Sequence, residues 1–354
     1  MGVRYQFTLH SRTLLRALLA PTVAAAVMAL AGCSPGGTPA TNNRHMQPLS
    51  ERMLAELEAK NMEKKSPILV RIFKEEAELE VWKQDSSGRF ALLRTYPVCR
   101  WSGQLGPKIK QGDRQAPEGF YTITPGLMNP NSSNYLAINT GFPNAYDRAN
   151  GRTGAFLMVH GDCSSSGCYA MTDEQIAEIY ALARESFFGG QKSFQLEAFP
   201  FRMTPLNMAR HRNSPHMEFW TMLKQGYDHF EVTHLEPKVD VCEKRYVFNG
   251  ESTAPFSPAE RCPAYNVRED IAAAVRDRQR RDSIQTAELI SRGTPMAPET
   301  TGIDGGMNPI FLSAVKSQGG PGAKIRTGSG TIPADVNPPA DPAQIATGGF
   351  ASAE

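Results

Sequence analysis

The run His160-Gly161-Asp162-Cys163-Ser164-Ser165-Ser166-Gly167-Cys168 puts an imidazole, a turn of small residues and a thiol within nine residues. Those groups suit nucleophilic catalysis, in which a thiolate attacks and an imidazole removes and later returns the proton. A free thiol is mostly protonated at neutral pH, so it needs an imidazole, backbone donors or a helix N-terminus nearby. All three have a source here. His160 supplies the imidazole, with the Gly161 carbonyl placed to orient it. Gly167 permits a tight turn that presents the amides of Gly167 and Cys168 as an oxyanion hole. Thr172-Asp173-Glu174-Gln175 reads as a capping box opening a helix behind the thiol, with Ile176, Ile179, Tyr180 and Ala183 along one face. The same spacing also fits a plain strand-to-helix turn that carries two cysteines. A zinc site would need a second spaced pair of ligands, which the run lacks, so neither metal nor cofactor is expected.

Short β-branched and aromatic runs must form the scaffold. Those at 68–73, 79–82 and 90–98 are split by Lys74-Glu75-Glu76 and Asp85-Ser86-Ser87-Gly88 and predict a meander, with further strands at 120–124, 135–139, 155–160 and 194–199. Leu49, Met53, Leu54 and Leu57 predict a helix within 46–66, and the helix after Thr172 is expected to stop at Gly189-Gly190. Beyond Met203 the pattern predicts a helix at 217–223 and strands at Glu231-Val232-Thr233 and 245–248. A charged helix at 269–292 has few apolar anchors and reads as a solvated extension. From Gly293 onward Gly, Pro, Thr and Ala dominate, which predicts disorder over 293–354. The expected fold is mainly β with peripheral helices.

The amino terminus bears on location. Arg4, Arg12 and Arg16 precede a largely apolar stretch that ends in Leu30-Ala31-Gly32-Cys33, which resembles a bacterial lipobox. Residues 1–32 are expected to be a lipoprotein signal peptide and Cys33 the lipidated first residue, followed by a flexible tether at 33–45. Ser34, where an Asp would favour the inner membrane, points to the outer membrane. An ordinary signal peptide or a short anchor is the alternative, although the stretch is short for a span. With 38 basic and 36 acidic residues in 354, nothing in the charge balance supports a nucleic-acid partner, and the basic stretch at 276–281 is interrupted by Asp277 and Gln279. Cys242 and Cys262 bracket a polar loop and are candidates for a disulfide or for free buried thiols. Cys163 is open to three roles: lining the site, pairing with Cys99, or resolving an oxidised Cys168.

Several motifs occur in order: Gly106-Pro107-Lys108, Gly112-Asp113-Arg114, Pro117-Glu118-Gly119, the stretch 141–148, the stretch 151–154, Val159-His160-Gly161 and the stretch 165–171. Together they resemble the YkuD-type L,D-transpeptidases, and within them the YafK-like branch, over roughly 67–201. The resemblance implies an L,D-transpeptidase-type β-sandwich catalytic core at 67–203, with 204–292 a C-terminal extension or subdomain. It implies a Cys thioester formed on diaminopimelate-containing peptidoglycan stem peptides. For the YafK-like branch it further implies links between peptidoglycan and outer-membrane proteins, or their removal by hydrolysis. Many members carry His at the position of Ser166 and Arg at that of Ala170. Holding the substrate carboxylate would then pass to Arg114, Arg148 or Arg152, guanidinium groups on Gly- and Asn-rich loops, with Ser165 beside them. An inactive, lipid-anchored peptidoglycan-binding module is the contrasting expectation.

Overall fold

The computed structural model describes residues 2, 42–298 and 305–317. The expected signal peptide, Cys33 and Ser34 lie outside the described residues, as do 299–304 and everything after 317. In chain order the elements are α1 (Glu51–Ala59), β1 (Ile68–Phe73), β2 (Glu78–Gln84), β3 (Phe90–Pro97), β4 (Arg100–Trp101), β5 (Gly119–Ile123), β6 (Met128–Asn129), β7 (Ala137–Asn139), α2 (Ala145–Ala149), β8 (Met158–His160), β9 (Tyr169–Ala170), α3 (Asp173–Phe188), β10 (Phe194–Phe199), α4 (Pro205–Arg210), α5 (Met217–Thr233), β11 (Val239–Cys242), β12 (Arg245–Phe248), α6 (Glu269–Ser291) and α7 (Pro309–Ser317).

Two five-stranded sheets, in the orders β3-β2-β1-β10-β5 and β4-β9-β8-β7-β6, make up the mainly β architecture expected of an L,D-transpeptidase-type core. In the first sheet β1 and β10 run parallel, and in the second β8 and β9 do. The central strands β1 and β10 are buried at every position because the first sheet is covered on both faces. Along β1, Ile68, Val70 and Ile72 enter the core shared with α3 and the second sheet. Leu69 and Phe73 alternate to the opposite face, where α5 contributes Phe219, Trp220, Leu223 and Phe230. The extension at 204–292 therefore supplies a second cover for the sheet.

The helix behind the nine-residue run starts as its sequence dictates. Thr172 accepts the Gln175 N–H, and the Gln175 side chain returns a bond to the Thr172 N–H. Asp173 and Glu174 fill its first turn, where negative charge is favoured.

Three expectations are corrected. Glu231-Val232-Thr233 is the last turn of α5 and not a strand. The apolar spacing from Phe219 to Phe230 carries the helix through these β-branched residues until His234 adopts φ 52°. The charged helix α6 is packed rather than solvated. Val275 is its buried apolar residue, and charge does the rest, with Arg278 Nε 3.0 Å from Asp228 Oδ1 and Lys224 Nζ 2.6 Å from Asp282 Oδ2. The disordered tail expected from 293 is ordered at 305–317. There Gly306 pairs with Trp101 on the edge of the second sheet, Asn308 donates to the Val98 carbonyl, and Phe311 is fully buried. Phe311 was hidden in a segment that composition marks as polar. At the tether's end, residues 44–46 form a 3-10 turn whose His45 carbonyl accepts from Arg184.

Two disulfides cross-link the chain, Cys242–Cys262 and Cys99–Cys163, with Cα atoms 5.1 and 5.3 Å apart. The second settles the role of Cys163, which pairs with Cys99 and does not serve as a free partner to Cys168. It closes a loop of 64 residues, worth about 4 kcal/mol in a chain-entropy account.

Candidate active site

Strand register relates His160 and Cys168. β8 and β9 run parallel with Val159 opposite Tyr169 and His160 opposite Ala170. Carrying that register back one residue puts Met158 opposite Cys168. Side-chain alternation then places His160 and Cys168 on the same face as diagonal neighbours, whose Cα atoms are typically about 7–8 Å apart.

The imidazole of His160 is 3% exposed, and its Nδ1–H donates to the Gly161 carbonyl at 2.6 Å. That bond fixes the tautomer and leaves Nε2 as the basic atom. Burial lowers the imidazole's pKa, with the Gly161 carbonyl and the Asp162 charge opposing it. Gly161 is required here by close approach, since a Cβ would meet Asp173 Oδ1 at 2.4 Å. The N-terminus of α3 serves this turn: Asp173 Oδ1 accepts the Asp162 N–H at 2.9 Å. Asp162 and Cys163 both have positive φ, and the disulfide to Cys99 ties the second of them to the head of β4.

Cys168 is half-buried and is the free cysteine among the described residues. Its sulfur accepts the Met158 N–H at 3.4 Å and its S–H donates to the Phe156 carbonyl at 3.8 Å. Burial pushes the thiol up, while the Met158 N–H and the Lys108 charge pull it down. Both directions favour the neutral forms, a thiol on Cys168 and an uncharged imidazole on His160. The N-terminal amides of α3 are not among these contacts, which come from Met158, Phe156 and Lys108.

Gly167 has φ 115°, a conformation that L side chains rarely adopt, and so makes the turn into Cys168. Of the two amides expected to line an oxyanion hole, that of Cys168 is taken, donating to Ser165 Oγ at 3.1 Å. Ser165 Oγ also accepts from Ser102 at 2.7 Å and donates to the Cys168 carbonyl at 2.7 Å. With its hydrogen and both lone pairs used, Ser165 braces the loop and has no capacity left for substrate. This corrects its expected role.

The three candidate arginines separate. Arg114 is exposed, and its guanidinium reaches Ser166 Oγ at 3.4 Å, at the mouth of the nucleophile loop. Arg148 is exposed on α2 and donates to the Pro143 carbonyl of its own turn. Arg152 is 8% exposed, pairs with fully buried Asp147 at 2.9 Å and lies over the Tyr146 and Phe219 rings. Its donors are committed inside the fold, which corrects its expected role as a carboxylate holder. Lys108 and Phe156 were not foreseen as parts of the site. Lys108 is buried and paired with Asp113, which also accepts the N–H groups of Ile109, Lys110 and Gln115 and so fixes the loop before Arg114. Its signal in the sequence was the Gly106-Pro107-Lys108 motif. Phe156 gave none.

Residues 68–188 match the family model described as YkuD, the L,D-transpeptidase catalytic domain. The YafK protein of Escherichia coli (strain K12) is 49% identical over 182 residues, which are 51% of this chain and 74% of the relative. The same figures hold for YafK of Escherichia coli O157:H7. Among solved structures, the helical cell shape determining protein Pgp2 of Campylobacter jejuni is 22% identical with a TM-score of 0.29, over 44% of this chain and 55% of Pgp2. Bd1075 of Bdellovibrio bacteriovorus is 12% identical with a TM-score of 0.27, over 57% of this chain and 94% of Bd1075.

Proposed function

Because the chain belongs to the YkuD-type L,D-transpeptidase family, on its YafK-like branch, we propose that it is a peptidoglycan-modifying cysteine acyltransferase acting on diaminopimelate-containing stem peptides. The observation that supports this reading is the His160 tautomer fixed by the Gly161 carbonyl, which leaves Nε2 as the basic atom on a strand whose register puts Cys168 two residues along the same face.

Cys168 Sγ attacks the carbonyl carbon of diaminopimelate as His160 Nε2 takes the thiol proton. The Met158 N–H and the Lys108 charge favour the sulfur anion as it forms. The tetrahedral intermediate collapses when the bond from carbon to the leaving amine breaks, and the imidazolium returns its proton to that nitrogen. The product is a thioester on Cys168 and a free amine. In the second half-reaction an acceptor amine or water gives up a proton to His160 and attacks the thioester, regenerating the thiol. An amine acceptor yields a crosslink or a protein attachment. Water yields hydrolysis, including release of outer-membrane proteins joined to diaminopimelate. Arg114 is the residue placed to read a substrate carboxylate.

The proposed location is the cell envelope, with the enzyme held by lipid on Cys33 at the outer membrane and facing the periplasm. No described helix is long and apolar enough to cross a membrane.

Mass spectrometry of muropeptides after incubating purified mature protein with sacculi tests the function. New crosslinks, amine-exchanged stems or released tetrapeptide are expected from wild type and none from Cys168→Ala. Products of equal yield from Cys168→Ala would end the thioester mechanism, and no product from wild type would favour the inactive binding module.

A further inference from the structure

Phe156 is 75% exposed, the largest fractional exposure among the large apolar side chains of the described residues. Its backbone is left-handed at φ 58°, an uncommon conformation for a bulky residue, and such outliers concentrate where function holds them. That conformation aims its carbonyl at the nucleophile, since Phe156 O accepts the Cys168 S–H and the Met158 N–H two residues on donates to the same sulfur. The segment 156–158 thus wraps Cys168 with its backbone, and the Phe156 side chain is left largely in solvent. A neighbouring loop adds a second apolar group, Ile109, 52% exposed, whose carbonyl is bonded to the Thr153 N–H. On the signature-loop side the charge is opposite in character, with the Arg114 guanidinium at Ser166. The site residues thus offer two lips, an apolar one on the segment whose backbone touches Cys168 and a cationic one at its signature loop.

We infer that Phe156 is a specificity-determining residue for the acyl donor, with its ring packing on the donor's aliphatic side chain while Arg114 takes a carboxylate. This deepens the proposed function and rests on it. Diaminopimelate fits both lips, because methylene groups separate its reacting carbonyl from a second, charged amino-acid end. A donor bonded to Sγ must displace the S–H from the Phe156 carbonyl and so is seated against the segment that carries the ring. Covering an exposed ring with methylenes removes apolar surface from water from both partners, and its loss on truncation to Ala is worth about tenfold in donor recognition. Phe156 has no place in the folded core, so its truncation should leave the fold alone.

The test uses purified full-length protein, a diaminopimelate-containing tetrapeptide as donor, and intact-mass detection of the acyl-enzyme. Phe156→Ala should raise the donor concentration for half-maximal acylation about tenfold, with a melting temperature within about 2 °C of wild type. Phe156→Tyr should restore acylation, because a ring is retained. Iodoacetamide, which needs no peptide grip, reports whether the thiol itself has changed. Unaltered donor dependence in Phe156→Ala alongside normal wild-type acylation overturns the role of Phe156 alone. A loss of acylation matched by an equal loss of iodoacetamide labelling also overturns it, since the effect would then lie in the thiol. Absence of any acyl-enzyme in wild type overturns both this inference and the functional reading beneath it.

Discussion

The neutral resting pair makes a prediction that separates it from the preformed thiolate–imidazolium pair of many cysteine enzymes. Burial raises the Cys168 thiol above its ordinary value of 9.0 and lowers His160 below its ordinary 6.5. At pH 7 a thiol with a value of 9 is about 1% ionised, and a raised one is less so. At pH 7.5 an imidazole with a value of 6.5 is about 10% protonated, and a lowered one is less so. The rate of Cys168 alkylation by iodoacetamide should therefore climb close to tenfold per pH unit from pH 6 to 9, with no plateau in that range. The neutral imidazole adds no positive charge to hold a resting thiolate, so His160→Ala should leave this profile within about threefold while turnover falls by about 10²–10⁴, the usual worth of a general base. Stopped-flow labelling with peptide mapping to Cys168 measures the profile, and muropeptide release measures turnover. A rate that is already flat between pH 5 and 7 would refute the neutral pair, as would more than tenfold slower labelling in His160→Ala.

The arginines give a paired prediction. Arg152→Met strands a fully buried Asp147 and should cost about 3–5 kcal/mol in urea unfolding, while Arg114→Met should leave unfolding unchanged and raise the donor KM about tenfold or more. A KM effect from Arg152→Met without loss of stability would restore it as a substrate ligand. For location, Cys33→Ala should abolish a diacylglycerol adduct on the intact mature protein and release it from envelope membranes; unmodified wild-type protein in the soluble fraction would refute lipidation.

What could be read from the sequence follows from the range of the interactions involved. The capping box at Thr172 and Gln175 is local, and the structure closes it with those two residues. The strands at 68–73 and 194–199 were legible because β-branched and aromatic runs bounded by turn residues need little tertiary help. Glu231-Val232-Thr233 was misread because β-branched residues favour strands in isolation, and the packing of Phe230 immediately before them overrides that preference. Arg152 looked like a ligand because its loop is rich in Gly and Asn. Only the fold shows Asp147 waiting beneath it, since the bond from Arg152 depends on α2 being capped by Asn144. Phe156 could not be found at all, because positive φ at a bulky residue leaves no trace in composition. Ordering at 305–317 escaped for a related reason: beside the buried Phe311 it rests on Gly306 pairing with Trp101 and Asn308 donating to Val98, partners some two hundred residues earlier.

The arrangement also explains how a reactive cysteine can coexist with two disulfides in the oxidising compartment where the enzyme is proposed to act. Oxidation and disulfide exchange both require thiolate, and Cys168 is held as thiol by burial and by donation of its S–H to Phe156. The neighbouring Cys163, three residues past His160 in sequence, is removed from exchange by its bond to Cys99. That bond simultaneously anchors the positive-φ turn that follows His160, so one cross-link both protects the nucleophile and steadies its base. In the proposed mechanism activation is then left to the substrate: a carbonyl seated against Sγ would displace the S–H from Phe156 and turn it toward Nε2, so that the anion forms only when there is something to attack. The donor half of the reaction is written into rigid elements, β8, β9 and the braced loop between Ser165 and Cys168. Arg114 and Phe156, proposed to meet the donor, are carried on loops between strands, so in the proposed reaction the choice between amine and water is left to whichever reaches the thioester first.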